Sequence, residues 1–309
     1  MTSRRTLLKT LAASPLLGLN QSLLSANSDL ITPLPKILKS IPKSGEKIAA
    51  IGMGSSRTFD VASDSPKIFS LSEVIHHFIK AGGQLIDSSP MYGNSESVIG
   101  KILEQNKQQD KVFAASKVWT YGKKQGMLAV KETQRRMRIE KMDLMQVHNL
   151  RDWKLHLPTL HELKASGKIR YVGITTSFNG QYQDFEQVMK TQELDFIQIN
   201  YNIAVTEAAQ RILPLARDKG IAVIINRPFE KARLFSTVKN SKIPEWCHDF
   251  DCHSWGQFFL KYIVSHPDVT CAIPATSKVK HMKDNMQAMR GRLPTQTERQ
   301  KMKSLFDSL

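Results

Sequence analysis

Cysteine is scarce in this chain, with three residues in 309, Cys247, Cys252 and Cys271. The odd, low count excludes a scaffold built on disulfides, and only a single Cys247–Cys252 bridge stays open. Acidic residues are also few, 28 against 44 Lys and Arg, for a formal charge of +16. Such an excess suits a nucleic acid, an anionic membrane surface or an anionic small ligand. A basic patch interleaved with aromatics is missing, because Lys101, Lys124, Arg135, Lys168, Lys219, Lys242 and Lys283 are scattered along the length. That scatter speaks against nucleic acid as a partner. No apolar run reaches the about 20 residues of a stable membrane span. Internal repeats and low-complexity segments are absent, which removes solenoids and propellers. The glycine-rich fingerprint of an open dinucleotide-binding sheet is absent too, since "GMGS" offers only Gly52 and Gly54.

The N terminus has a distinct composition. Arg4 and Arg5 precede the apolar run "TLLKTLAASPLLGL" and the small-residue stretch "SLLSANS", the three-part layout of an export signal. The adjacent arginines followed by Leu-Leu-Lys look like a twin-arginine signal, which serves bacterial proteins exported already folded. Residues 1–28 are therefore read as an export signal directing the chain to the periplasm, with an uncleaved basic tail on a cytoplasmic protein as the alternative. Residues 29–45, with three prolines and no clean period, read as a linker or a strand wrapping the base of the domain.

From residue 46 to 309, short β-branched runs alternate with amphipathic stretches. Strand candidates fall at 47–54, 84–89, 111–118, 142–149, 169–176, 194–202, 221–229 and 269–276. Helix candidates between them place apolar residues three and four apart, as in Leu71, Val74, Ile75, Phe78 and Ile79, and several close on a glycine, Gly83, Gly167 or Gly220. Eight such units predict an α/β fold, a (β/α)8 TIM barrel.

In that architecture the reactive groups stand at the C-terminal ends of the strands. Asp87, Lys117 and His148 end three successive strand candidates, and Tyr92 follows Asp87 in "IDSSPMYGNSE". Each alone has an ordinary reading as a cap, a surface lysine, a core histidine or a loop anchor. Together they suit carbonyl reduction. A phenol with an unperturbed pKa near ~10 needs a cation to become an effective proton donor, and Lys117 is expected to lower it. Asp87 would position Lys117, and His148 would hydrogen-bond the substrate oxygen. Hydride must come from a cofactor. Gly52 and Gly54 read as close-approach positions at the barrel mouth. Thr175, Thr176 and Gln198 read as amide-binding groups, with Asn226, Arg227 and Pro228 in the next loop. Thr276, Lys278, Lys280, His281 and Asn285, entering the last helix, read as a phosphate-binding segment. The cluster "CHDFDCH" around Cys247 and Cys252 matches no common zinc spacing, so no metal is expected.

At these residues the chain resembles the aldo-keto reductase family from about residue 47 to 290. The resemblance assigns the catalytic tetrad to Asp87, Tyr92, Lys117 and His148. It makes Thr175, Thr176 and Gln198 the carboxamide-binding part, and Thr276, His281 and Asn285 the adenosine-phosphate part. It implies NADP as cofactor, NAD being the alternative, and a small-molecule carbonyl substrate. There are departures. Asn226, with Arg227 beside it, stands where a stacking tyrosine is common. Ala275 and His281 stand where a lysine and an arginine often meet the 2′-phosphate, leaving Lys278, Lys280 or Lys283 for that task. Only 24 residues follow Asn285, which implies an open site for small aldehydes. Two other classes accommodate the same residues: a Schiff-base aldolase on Lys117, and a nucleotide-binding regulatory module with little turnover. Export would also require an unidentified redox partner to recycle bound cofactor.

Overall fold

The computed structural model describes residues 34–309; the signal read over 1–28, and linker residues 29–33, lie outside the described residues. Eight parallel strands follow one another around the centre. They are β3 (Met53–Gly54), β4 (Leu85–Asp87), β5 (Phe113–Val118), β6 (Met142–His148), β7 (Ile169–Thr175), β8 (Phe196–Asn200), β9 (Ala222–Asn226) and β10 (Cys271–Ala272). Parallel bridges from Ile51 to Ala272 and from Gly54 to Ala275 join the last strand to the first. The result is the (β/α)8 barrel that the alternation of elements predicts.

Helices α1 (Lys67–Lys80), α2 (Ser95–Gln105), α3 (Lys123–Met137), α4 (Trp153–Ala165), α5 (Tyr182–Thr191) and α6 (Ala208–Asp218) each connect one strand to the next. A longer connection, with α7 (Arg233–Thr237) and α8 (Trp255–Val264), joins β9 to β10, and α9 (Val279–Gln287) and α10 (Gln296–Asp307) follow. Parallel neighbours require such crossovers, and the outward strand faces bury against these helices.

The first strand candidate, 47–54, is two pieces in the structure. Its front half, β2 (Lys47–Ala49), pairs antiparallel with β1 (Leu38–Ser40), so part of the stretch read as a linker is a strand. The reason is visible in the packing: Ile41 and Ile48 of this hairpin join the barrel's inner cluster and close its lower end. A second correction concerns α1, where Gly82 takes the left-handed conformation, φ +96°. Gly83 is required for space instead, since a Cβ there would meet the Phe78 ring at 2.2 Å. Gly167 and Gly220 do adopt positive φ after their helices.

Alternation of side chains along each strand divides the barrel interior into an apolar base and a polar top. Leu85, Phe113, Ala115, Leu144, Tyr171, Phe196, Ala222, Ile224 and Cys271 fill the base. Two residues further along the same strands stand Asp87, Lys117, Gln146, Gln198 and Asn226. This base excludes water beneath the polar layer, and no helix of the described residues is long and apolar enough to cross a membrane.

Candidate active site

The polar layer centres on Asp87 and Lys117, both buried, on neighbouring strands β4 and β5. Lys117 Nζ donates to Asp87 Oδ1 at 2.7 Å, to Asp87 Oδ2 at 2.6 Å and to the Ser88 carbonyl at 2.7 Å. All three ammonium protons are thereby committed. Burial on its own would lower the amine's pKa, but the Asp87 carboxylate, with smaller contributions from Tyr92 and Glu96, outweighs it and holds Lys117 above the ordinary amine range. A fully buried lysine kept charged, with no free proton direction, is a poor Schiff-base nucleophile. Gln198 Nε2 adds a third hydrogen bond to Asp87 at 2.9 Å, and Gln146 Nε2 a more distant one at 3.4 Å.

Tyr92 and His148 stand above this pair. The Lys117 ammonium lies 5.3 Å from the Tyr92 ring centroid, and the Tyr92 and His148 rings meet edge to face at 6.0 Å. The four predicted catalytic residues are thus brought to one rim. One expectation fails: burial pushes the Tyr92 hydroxyl above the usual phenol range, and Lys117 only partly offsets this. Burial is the main reason, and Asp87 adds to it by disfavouring a phenolate. Tyr92 is therefore held as the neutral acid, and Lys117 favours the charge that appears on it only as the proton departs.

His148 is held neutral. Burial, then the charges of Lys117 and Arg151, depress its pKa to about 3. Ser89 Oγ lies 3.0 Å from Nδ1 and accepts the Met91 N–H at 3.2 Å. The Ser89 hydroxyl can donate to Nδ1, which leaves Nε2–H free to donate in that tautomer. Trp119 packs against the imidazole at 5.1 Å.

The residues read as cofactor-binding divide. Thr175 is buried at the rim, registered between His148 and Gln198. The Thr176 hydroxyl is already committed, donating to Gln181 Oε1 at 2.6 Å and accepting from the Phe178 N–H at 3.1 Å. Gln198 has its nitrogen on Asp87, which leaves its oxygen as an acceptor. Asn226 donates to the Thr176 carbonyl at 3.0 Å, and Arg227, at φ +47°, reaches Ser177 Oγ at 3.0 Å with Pro228 buried behind it. Thr276 Oγ1 receives the Lys278 N–H at 3.1 Å, shaping the entry to α9. Lys278, Lys280 and His281 are exposed there and Asn285 is buried on the inner side. Burial and the two lysines lower the His281 pKa, so a cation at that end is lysine. At Gly52 and Gly54 added Cβ atoms would meet the Leu85 carbonyl at 2.8 Å and the Ile273 carbonyl at 2.9 Å. Their smallness serves the barrel seam.

A nicotinamide dinucleotide fits this mouth. Among the described residues, six buried side-chain polar atoms lack a partner, and Gln146 Oε1, Asn149 Oδ1 and Asn226 Oδ1 belong to the mouth. Each such acceptor costs about 1–3 kcal/mol unless a donor arrives, which a carboxamide can supply. Gln146, Ser89 and Trp119 were not singled out by the sequence reading. Period-2 spacing from His148 and Lys117 would have found Gln146 and Trp119. Cys247, Cys252 and Cys271 are buried and unbridged, and no group of three metal-binding side chains is found among the described residues.

The sequence profile described as "Aldo/keto reductase family" matches residues 50–304. Among curated proteins the chain is 26% identical over 256 residues to the methylglyoxal reductase YeaE of Escherichia coli (strain K12), covering 80% of this chain and 88% of that protein. It is 27% identical over 197 residues to an NADH-specific methylglyoxal reductase of the same organism, covering 53% of this chain and 58% of the other. Among solved structures, an aldo-keto reductase from Klebsiella pneumoniae in complex with NADPH superimposes with a TM-score of 0.73 at 21% identity, covering 88% and 96% of the two chains. At that identity the likeness shows the fold.

The central ion pair makes a stability prediction. Lys117→Met strands a buried carboxylate and costs about 3–5 kcal/mol, whereas Asp87→Asn combined with Lys117→Met costs clearly less than the two single changes together. Urea unfolding of the four proteins measures the coupling, and additive losses would contradict the pairing. The pH sign follows from the raised Lys117 pKa. The pair's contribution is present below the unfolded amine value of about 10.4 and is lost as pH rises through the folded one.

Proposed function

The chain belongs to the aldo/keto reductase family, and on that premise we propose that it reduces small aldehydes and ketones to alcohols, with Tyr92 as proton donor. The observation that carries the reading is the convergence of Tyr92 and His148 over the buried Asp87–Lys117 pair. A bound nicotinamide dinucleotide supplies the hydride, and its carboxamide would be held by Thr175, Gln198 and Asn226. The balance is one carbonyl, one hydride and one proton giving one alcohol and the oxidised nucleotide.

The chain's own residues do the rest. His148, neutral with its proton on Nε2, donates to the carbonyl oxygen and favours the negative charge that grows there. Tyr92 then passes its proton to that oxygen, and the nearby Lys117 charge favours the phenolate left behind. The apolar base of the barrel keeps water from competing. We assign the preferred nucleotide as NADP, through Lys278, Lys280 or Lys283 at the start of α9. NAD is the alternative, and an NADH-specific relative keeps it in play. The likeness to two methylglyoxal reductases favours small, reactive carbonyls as substrates.

We further propose that residues 1–28 direct export of the folded, nucleotide-loaded protein to the periplasm, where a second redox partner would recycle the cofactor. Replacing both Arg4 and Arg5 by lysine should leave the protein in the cytoplasmic fraction; unaltered partition would dismiss the signal.

The activity is tested by titrating the protein with NADPH and NADH and then adding small aldehydes. Tyr92→Phe should lower kcat/KM at least about a hundredfold, with nucleotide affinity within a few-fold of the parent, because the lost proton acts only in the transition state. Undiminished turnover would remove Tyr92 from the role.

A further inference from the structure

Arg151 stands just past His148, at the mouth. Its guanidinium carbon sits 3.5 Å from the Trp119 ring centroid and 4.7 Å from that of Tyr121, over two aromatic rings of the loop after β5. Trp119 in turn contacts His148 at 5.1 Å. The guanidinium therefore lies within roughly 9 Å of the imidazole, comparable to the screening length of physiological salt. Its charge is already felt there, as one cause of the neutral His148.

The loop that presents Arg151 is strained and braced. Asn149, Leu150 and Asp152 all take left-handed backbone conformations, with φ of +52°, +55° and +49°, each disfavoured by about 1 kcal/mol for a non-glycine residue. The Arg151 N–H bonds the His148 carbonyl at 3.1 Å. Asp152 Oδ2 accepts the Gly122 N–H at 2.7 Å, tying this loop to the one carrying Trp119 and Tyr121, and Gln181 reaches the Asn149 carbonyl at 3.3 Å. Side-chain hydrogen bonds and ion pairs engage other charged groups nearby: Lys117 pairs with Asp87, Arg227 with Ser177 Oγ, and Lys123 with Glu162. Arg151 has neither a carboxylate within ion-pair distance nor a side-chain hydrogen bond among the described residues. Stacking leaves the edge of a guanidinium open, and that edge is the part that grips a carboxylate through two parallel N–H bonds.

We infer that Arg151 is a specificity-determining residue, which selects aldehydes or ketones bearing a carboxylate a short carbon spacer from the reacting carbonyl. The inference rests on the reductase reading and names its substrate class. Trp119 and Tyr121 set the plane of the guanidinium, while His148 and Tyr92 receive the carbonyl end.

The test compares succinic semialdehyde with butanal, equal in chain length and different in charge, on the nucleotide-saturated full-length protein. For the parent, kcat/KM for the acid should exceed that for the neutral aldehyde by at least about tenfold, an advantage that shrinks as salt is raised. Arg151→Met should lower the ratio of the two kcat/KM values roughly ten- to hundredfold, the usual effect of losing a charge-assisted pair. Arg151→Lys, which restores charge without the planar fork, should recover part of it. A parent ratio at or below one, or a ratio unchanged in Arg151→Met, overturns the inference. Calorimetric titration with 4-hydroxybutyrate reads the same site without turnover. If neither aldehyde is reduced, yet the hydroxy acid binds the parent and not Arg151→Met, the reductase reading falls and the Arg151 site stands. Failure of 4-hydroxybutyrate to bind the parent removes the site.

Discussion

The ion pair between Lys117 and Asp87 is the constraint on which the rest of the mouth depends. Burying an ammonium and a carboxylate costs several kcal/mol each unless each offsets the other and their remaining hydrogen-bonding capacity is met. Here the Ser88 carbonyl completes the lysine's set and Gln198 adds to the carboxylate's. The pair fixes three strand ends, β4, β5 and β8, at one height. It also delivers a positive charge beside Tyr92 and His148 that solvent cannot screen. Burial first and this charge second hold His148 neutral, while burial keeps Tyr92 protonated and the charge favours the phenolate only as the proton departs. Both are the forms that carbonyl reduction uses.

Much of this was legible in the sequence, because barrel geometry turns linear spacing into position. Eight β-branched runs predicted the strands, and polar residues ending apolar runs predicted the rim, so Asp87, Lys117 and His148 needed no structure to be singled out. Gln146 was legible by the same period-2 argument and was passed over. Other features depend on long-range packing. The split of residues 47–54 arises because Ile41 and Ile48 must plug the barrel's base. That the barrel seam itself requires Gly52 and Gly54 is visible only in the distance to the facing carbonyls. The direction of the Tyr92 shift depends on burial and Asp87 acting against Lys117, a balance that spacing cannot weigh. Arg151 is ordinary in sequence and becomes notable only over two aromatic rings, at the end of a loop with three strained residues.

Charge gives the mouth its chemical bias. Lys117 is neutralised internally, whereas Arg151 on the β6 side has no carboxylate partner among the described residues, and Lys278 and Lys280 are exposed at the start of α9. On the readings proposed above, part of the scattered basic excess would meet anionic ligands, a phosphate-bearing cofactor at one end of the site and an acidic carbonyl compound at the other. The apolar base of the barrel raises the strength of each of these interactions by keeping water away.

The central claim, that burial together with the neighbouring positive charges holds the histidine in its neutral donor form, is tested most directly by following the ring nitrogens of His148 by NMR between pH 8 and 5. The account predicts one unchanging neutral state across that range, with the proton on Nε2. A titration with a midpoint near the ordinary imidazole value of about 6.5, or a proton on Nδ1, would contradict it.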